Sequence, residues 1–184
     1  MSQARLWILG SRPRTLPAAI APVLVGTGAA SPHVLPGRAL LALVVALSLQ
    51  IGVNFANDYS DGIRGSDSKR VGPLRLVGSG KVSATQVRTV AFLFFFIGAL
   101  AGLWLALLTT LWLILVGAIS ILAAWGYTGG KKPYGYRGWG EVSVFIFFGF
   151  VAVVGTYYVQ TERVDLISFI AAIPMGSLAC ALLL

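Results

Sequence analysis

Hydrophobic residues in this chain fall into six long runs separated by polar connectors. The runs cover about Leu16 to Ala30, Ala39 to Ala56, Val90 to Leu107, Leu111 to Trp125, Val142 to Tyr158 and Leu166 to Leu184. Each is close to the ~20 residues that a helix needs to cross a ~30 Å hydrocarbon layer. The pattern predicts an all-α fold, a polytopic transmembrane helical bundle of about six spans in a single domain over residues 1–184. Only Leu108–Thr110 separate the third and fourth runs, which forces a tight helical hairpin. Pro17 and Pro22 interrupt the first run. Arg5, Arg12 and Arg14 before it and Gly28-Ala29-Ala30-Ser31 after it imitate a cleavable signal peptide. The two prolines, and more membrane-like chain downstream, favour a retained helix instead.

The pattern changes where the second run ends. Gln50, Asn54, Asn57, Asp58 and Asp61 stand at i, i+4, i+7, i+8 and i+11, so on a helix they line one face. A polar stripe at the mouth of a hydrophobic helix is costly unless something cationic meets it. Downstream, Val82–Gln86 reads as a helix start, with Ser83 as N-cap for Ala84 onward.

Composition agrees with the pattern. Hydrophobic residues make up 57% of the chain and charged ones 11%, against about 25% charged in a soluble domain. The net charge of +8 would suit nucleic acid only on a solvated basic face. Here the basic residues sit in short connectors, so no nucleic-acid partner is expected. Arg5, Arg12, Arg14, Arg64, Lys69, Arg70, Arg75, Lys81, Arg88, Lys131, Lys132 and Arg137 would share one side, leaving Arg38 and Arg163 on the other. By the positive-inside rule the N-terminus and the polar stripe face the cytoplasm.

Three of the chain's six acidic residues, Asp58, Asp61 and Asp67, lie in this stretch. Carboxylates beside an asparagine suit hard, oxygen-seeking cations, and Mg²⁺ commonly completes its shell with waters and phosphate oxygens. Arg64, Lys69, Arg70 and Arg75 follow closely and would hold further phosphate oxygens. Metal-bound diphosphate fits this juxtaposition. The same stripe also fits a proton or ion path in a transporter, or pairing with the N-terminal arginines. Spacing alone leaves enzyme and transporter open. A second polar connector, Gly126–Glu141, carries Tyr127, Tyr134, Tyr136 and Trp139, residue types common at membrane interfaces. Glu141 heads the fifth run, where it either complements the helix dipole or contacts substrate. His33 and Cys180, single residues of their type, carry no expected chemistry.

Asn57-Asp58-Tyr59-Ser60-Asp61, followed by Gly65-Ser66-Asp67, resembles the first aspartate-rich motif of the UbiA-type intramembrane prenyltransferases. Ser11–Pro17, Gly72-Pro73-Leu74-Arg75, Pro133–Tyr136, Gly138–Glu141 and Phe147-Phe148-Gly149 extend the resemblance along the whole chain. The resemblance implies Mg²⁺-dependent transfer of a polyprenyl group from its diphosphate to 1,4-dihydroxy-2-naphthoate, with other aromatic acids such as 4-hydroxybenzoate as alternatives. It implies Asn57, Asp58 and Asp61 as metal ligands, and Asp58, Asp61 and Asp67 as the catalytic set. Arg12, Arg14, Arg64, Lys69, Arg70, Arg75, Tyr134 and Glu141 are the implied substrate contacts. A bacterial inner or plasma membrane is the implied location. The family fold has nine helices and a second aspartate-rich motif after the sixth, so a chain that stops at Leu184 is expected to be its N-terminal part.

Overall fold

The computed structural model describes residues 2–65 and 74–182. All six apolar runs are helical. A short helix precedes them: α1 (Gln3–Gly10) is N-capped by Ser2, whose Oγ accepts from Arg5 N at 3.4 Å. A 3₁₀ turn, Pro13–Thr15, leads into α2 (Leu16–Ala29). Then come α3 (Pro36–Arg64), α4 (Ala84–Leu108) and α5 (Trp112–Gly126). A second 3₁₀ turn, Tyr134–Arg137, is followed by one continuous rod, Gly140–Thr161. The rod comprises α6 (Gly140–Val144), a π-helical stretch at Phe145–Val154, and α7 (Gly155–Thr161). The last helix is α8 (Leu166–Ala181).

The six runs do not have equal standing as spans. Among the described residues, three helices are long and apolar enough to cross a membrane: α3, α4 and the Gly140–Thr161 rod, with 29, 25 and 22 residues. By contrast α2, α5 and α8 have 14, 15 and 16. At 1.5 Å per residue, α5 extends only about 22 Å, less than the ~30 Å layer. Hydropathy measures how apolar a run is, and the turns at each end shorten the part that is helical.

α3 differs in the other direction. Its apolar run stops at Ala56, yet the helix continues to Arg64 and closes on Gly65, left-handed at φ 71°. Only glycine adopts that conformation freely, so the helix end is set by Gly65 and not by the fall in hydropathy. At about 43 Å, α3 outreaches the hydrocarbon layer by two to three turns. Those turns carry the polar stripe. At the start of α4, Ser83 is the N-cap as expected, and with Gln86 it forms a capping box.

Small residues let the long helices approach. A Cβ on Gly52 would stand 2.6 Å from the Phe95 ring on α4. On the other side of the bundle, a Cβ on Gly149 in the π stretch would meet Ala172 O at 2.9 Å and Gly176 Cα at 3.0 Å on α8. This is the small-residue contact that apolar helices use where no hydrophobic force drives them together.

Arg38, at the start of α3, fastens the end remote from the stripe. Its guanidinium donates to Leu108 O at the end of α4 (3.1 Å), to Val159 O in α7 (3.0 Å) and to the Glu162 carboxylate (2.8 Å).

Gly149→Ala should lower the thermal midpoint of the detergent-solubilised protein, corresponding to about 1–3 kcal/mol of overpacking. Gly37→Ala, where an added Cβ meets nothing within 4 Å, should leave the midpoint unchanged or slightly raised. Equal effects at the two positions would contradict this packing.

Candidate active site

The polar face of α3 is divided among three partners. Its first part seats the N-terminal segment. Asn54 Nδ2 donates to Ser11 O and to Thr15 Oγ1, both at 2.9 Å, while Gln50 Nε2 donates to Thr15 Oγ1 at 3.0 Å. The Thr15 hydroxyl in turn donates to Arg12 O at 2.9 Å. Arg12 is left-handed at φ 52°, a strained position for a side chain with a Cβ. Gln50 is buried, and its Oε1 has no hydrogen-bond partner.

The second partner is the chain after the long connector. Both carboxylate oxygens of Asp58 are taken by backbone amides: Oδ2 accepts from Leu76 N at 2.8 Å and Oδ1 from Val77 N at 3.0 Å. The motif resemblance groups Asp58 with Asn57 and Asp61 as metal ligands. In the structure both Asp58 oxygens are hydrogen-bonded to the Leu76–Val77 backbone, about 100° around the helix from Asn57. Asp58 is almost wholly buried and anchors the turn at Leu76–Val77.

The third partner is the connector after α5. Thr128 Oγ1 donates to Asn57 Oδ1 at 2.6 Å, and the Tyr136 hydroxyl donates to Asp61 Oδ1. Arg64 donates to Thr128 O and Gly130 O and lies 5.8 Å from the centroid of the Tyr136 ring. On the other side of Asp61, Arg75 Nη2 stands 3.6 Å from Oδ2. Burial, reinforced by the hydrogen bond to Asp61 and its charge, pushes the Tyr136 phenol above its ordinary range, so it stays protonated at neutral pH.

Beside this mouth lies a cavity of about 380 Å³ between α2, α3, α5 and the π stretch. Arg12, Thr15, Gln50, Asn54 and Asn57 form its polar end, and side chains such as Val23, Leu105 and Phe148 line the rest. Asp61 sits one helical turn beyond Asn57, at the mouth. Tyr134 lines the cavity; its hydroxyl donates to Ala123 O at 2.8 Å and stands 3.3 Å from Ser143 Oγ.

The expected site residues are thus partly gathered. Arg12, Asn57 and Tyr134 line the cavity, whereas Asp61, Arg64 and Arg75 do not line it and join the cluster through Asp61–Arg75, Asp61–Tyr136 and Arg64–Thr128 contacts. Arg14 and Glu141 are exposed and do not line it, and Glu141 occupies the first turn of α6, where the helix dipole favours a carboxylate. Asp67, Lys69 and Arg70 lie outside the described residues. Among the described residues, no three His, Cys, Asp or Glu side chains gather into a metal-holding group. Sequence reasoning missed Thr128, and read Tyr136 as an interface aromatic. The available signal was their place in a glycine-rich connector on the same side as the motif.

Comparisons with known proteins fit this site. The model of the UbiA prenyltransferase family matches residues 19–184. A 1,4-dihydroxy-2-naphthoate octaprenyltransferase of Mycobacterium tuberculosis is 57% identical over all of this chain and 63% of its own length. The protein of the same name in Escherichia coli is 38% identical over all of this chain and 61% of its own. UbiA prenyltransferase domain-containing protein 1 of Rattus norvegicus is 32% identical over 92% of this chain and 52% of its own. No solved structure matches. The chain therefore spans about 63% of the length of the mycobacterial relative. With a family model matched over nearly its whole length, the chain belongs to the UbiA prenyltransferase family.

Proposed function

We propose that this protein transfers a polyprenyl group from polyprenyl diphosphate to 1,4-dihydroxy-2-naphthoate, in the cell membrane, with the N-terminus and the Asn57–Asp61 mouth facing the cytoplasm. One observation carries the reading: Asn57 and Asp61 present oxygen ligands where a largely apolar cavity opens beside Arg12 and Arg75. Diphosphate needs cations and an isoprenoid tail needs an apolar enclosure, and here the two environments adjoin. The names of the relatives support the donor and acceptor classes. The basic connectors support the orientation, since the N-terminal segment, the Leu76–Val77 turn and the connector after α5 all meet the same end of α3.

The donor set fits a hard divalent cation, Mg²⁺ in this proposal. Asn57 and Asp61 are both oxygen donors, one helical turn apart, and too few to complete a shell without diphosphate and water. When bound, the cation neutralises the departing diphosphate and so favours ionisation of the allylic C–O bond. Arg75, beside Asp61, and Arg12, at the cavity's polar end, hold phosphate oxygens left free by that cation. The apolar walls enclose the tail and exclude water that would quench the allylic cation. The C–O bond breaks with its electron pair leaving on diphosphate. The electron-rich ring supplies the pair for the new carbon–carbon bond, and the acceptor's carboxylate departs as CO₂. Gln50 Oε1, a buried acceptor without a partner, suits a ring hydroxyl at the polar end.

Incubation with labelled polyprenyl diphosphate, the naphthoate and Mg²⁺ should yield a lipid-soluble aromatic product; its absence would overturn the reading. Asp61→Ala should cut turnover by about 10²-fold or more at saturating Mg²⁺ without loss of fold. Asp58→Asn should behave differently. It forfeits a charge-assisted bond to a backbone amide and lowers stability by about 1.5–3 kcal/mol, while the folded fraction keeps most of its turnover. A turnover loss in Asp58→Asn matching that of Asp61→Ala, at unchanged stability, would return Asp58 to the metal set.

A further inference from the structure

The connector after α5 folds back on itself before it reaches α3. Gly135 N donates to Tyr127 O at 3.0 Å, and a Cβ at Gly135 would stand only 2.7 Å from that oxygen. Glycine is what allows this approach. The pairing sets the residues that follow each partner, Thr128 and Tyr136, side by side against α3. Each delivers one hydroxyl, and the two hydroxyls fall on Asn57 and Asp61, the two residues to which the preceding section assigns the cation. Arg64, from the same helix, returns two donors to the carbonyls of Thr128 and Gly130 and closes the arrangement from below.

We infer that Thr128 and Tyr136 are positioning residues for the divalent cation, so that the cation site is built by the end of α3 together with the connector after α5 and not by the aspartate-rich helix end alone. An amide oxygen and each carboxylate oxygen have two lone pairs. A hydroxyl that occupies one fixes the side-chain rotamer and leaves the other for a metal. Without that hydroxyl, the asparagine and aspartate side chains sample more than one rotamer, and only some of these converge on one ion. Partners of this kind behind metal ligands typically account for 10–100-fold in affinity. Thr128 is 3% exposed, so its hydroxyl is held in place by packing as well as by its bond to Asn57.

This inference rests on the proposed function, and its test separates the two. Mn²⁺ binding to the full-length protein in the presence of inorganic diphosphate is followed by electron paramagnetic resonance. Tyr136→Phe and Thr128→Val should each weaken Mn²⁺ binding by about tenfold. Thr128→Ser, which keeps the hydroxyl, should restore it, and KM for the naphthoate should stay as in the unmutated protein. Affinity unmoved by both substitutions overturns the inference, as does affinity that rises, which would mean that the hydroxyls compete with the cation. Absence of Mn²⁺ binding by the unmutated protein overturns the divalent-cation reading itself, and the inference with it. Loss shared by Thr128→Val and Thr128→Ser would trace the effect to packing and also overturn it.

Discussion

Polar atoms at the end of an apolar helix must be met by something, and this requirement organises the molecule. A buried donor or acceptor without a partner costs about 1–3 kcal/mol, and a buried charge more. α3 carries five such side chains on one face, from Gln50 to Asp61. Three parts of the chain answer them: Thr15 and Ser11 meet Gln50 and Asn54, the amides of Leu76 and Val77 meet Asp58, and Thr128 and Tyr136 meet Asn57 and Asp61. One helix face thereby gathers three segments that are far apart in sequence.

The apolar packing and the polar assembly divide the labour. Between α3 and α4, and between the π stretch and α8, glycines bring helices within van der Waals distance, a contact that needs no polar group. Such contacts fix distances between rods but say little about rotation. The hydrogen bonds on the α3 face are directional, and they determine which residues of that face look into the cavity and which into the loops.

Much of this was legible in the sequence, and the limits have physical causes. Long apolar runs identify helices well, because twenty consecutive apolar residues leave a chain few other options in lipid. The N-cap at Ser83 was visible because a cap is local, and the structure adds its reciprocal partner Gln86. The polar stripe already placed Asn57–Asp61 on the helix, but hydropathy falls at Ala56, before the helix ends, and the stop itself is carried by Gly65. α1 is only eight residues long, too short for a period to stand out. At the site, the motif gave Asn57, Asp58 and Asp61 as a set, but it could not show that Asp58 turns to Leu76 and Val77. The Thr128–Asn57 and Tyr136–Asp61 bonds join residues 71 and 75 positions apart, and no local spacing encodes such a pairing. The Gly135 back-fold that creates them is a property of one tight contact.

Arg38 bears on the site from the far end of the same helix. It binds the carbonyls of Leu108 and Val159, so the distal ends of α3, α4 and α7 share one cation. From Arg38 to Asp61 the helix runs some 35 Å. Over that arm, a tilt of about 1° displaces Asp61 by about 0.6 Å, whereas metal coordination tolerates errors of about 0.2 Å. The arginine at the far end therefore has leverage over a carboxylate it never touches, and the proposed cation site inherits whatever tilt those distal bonds allow.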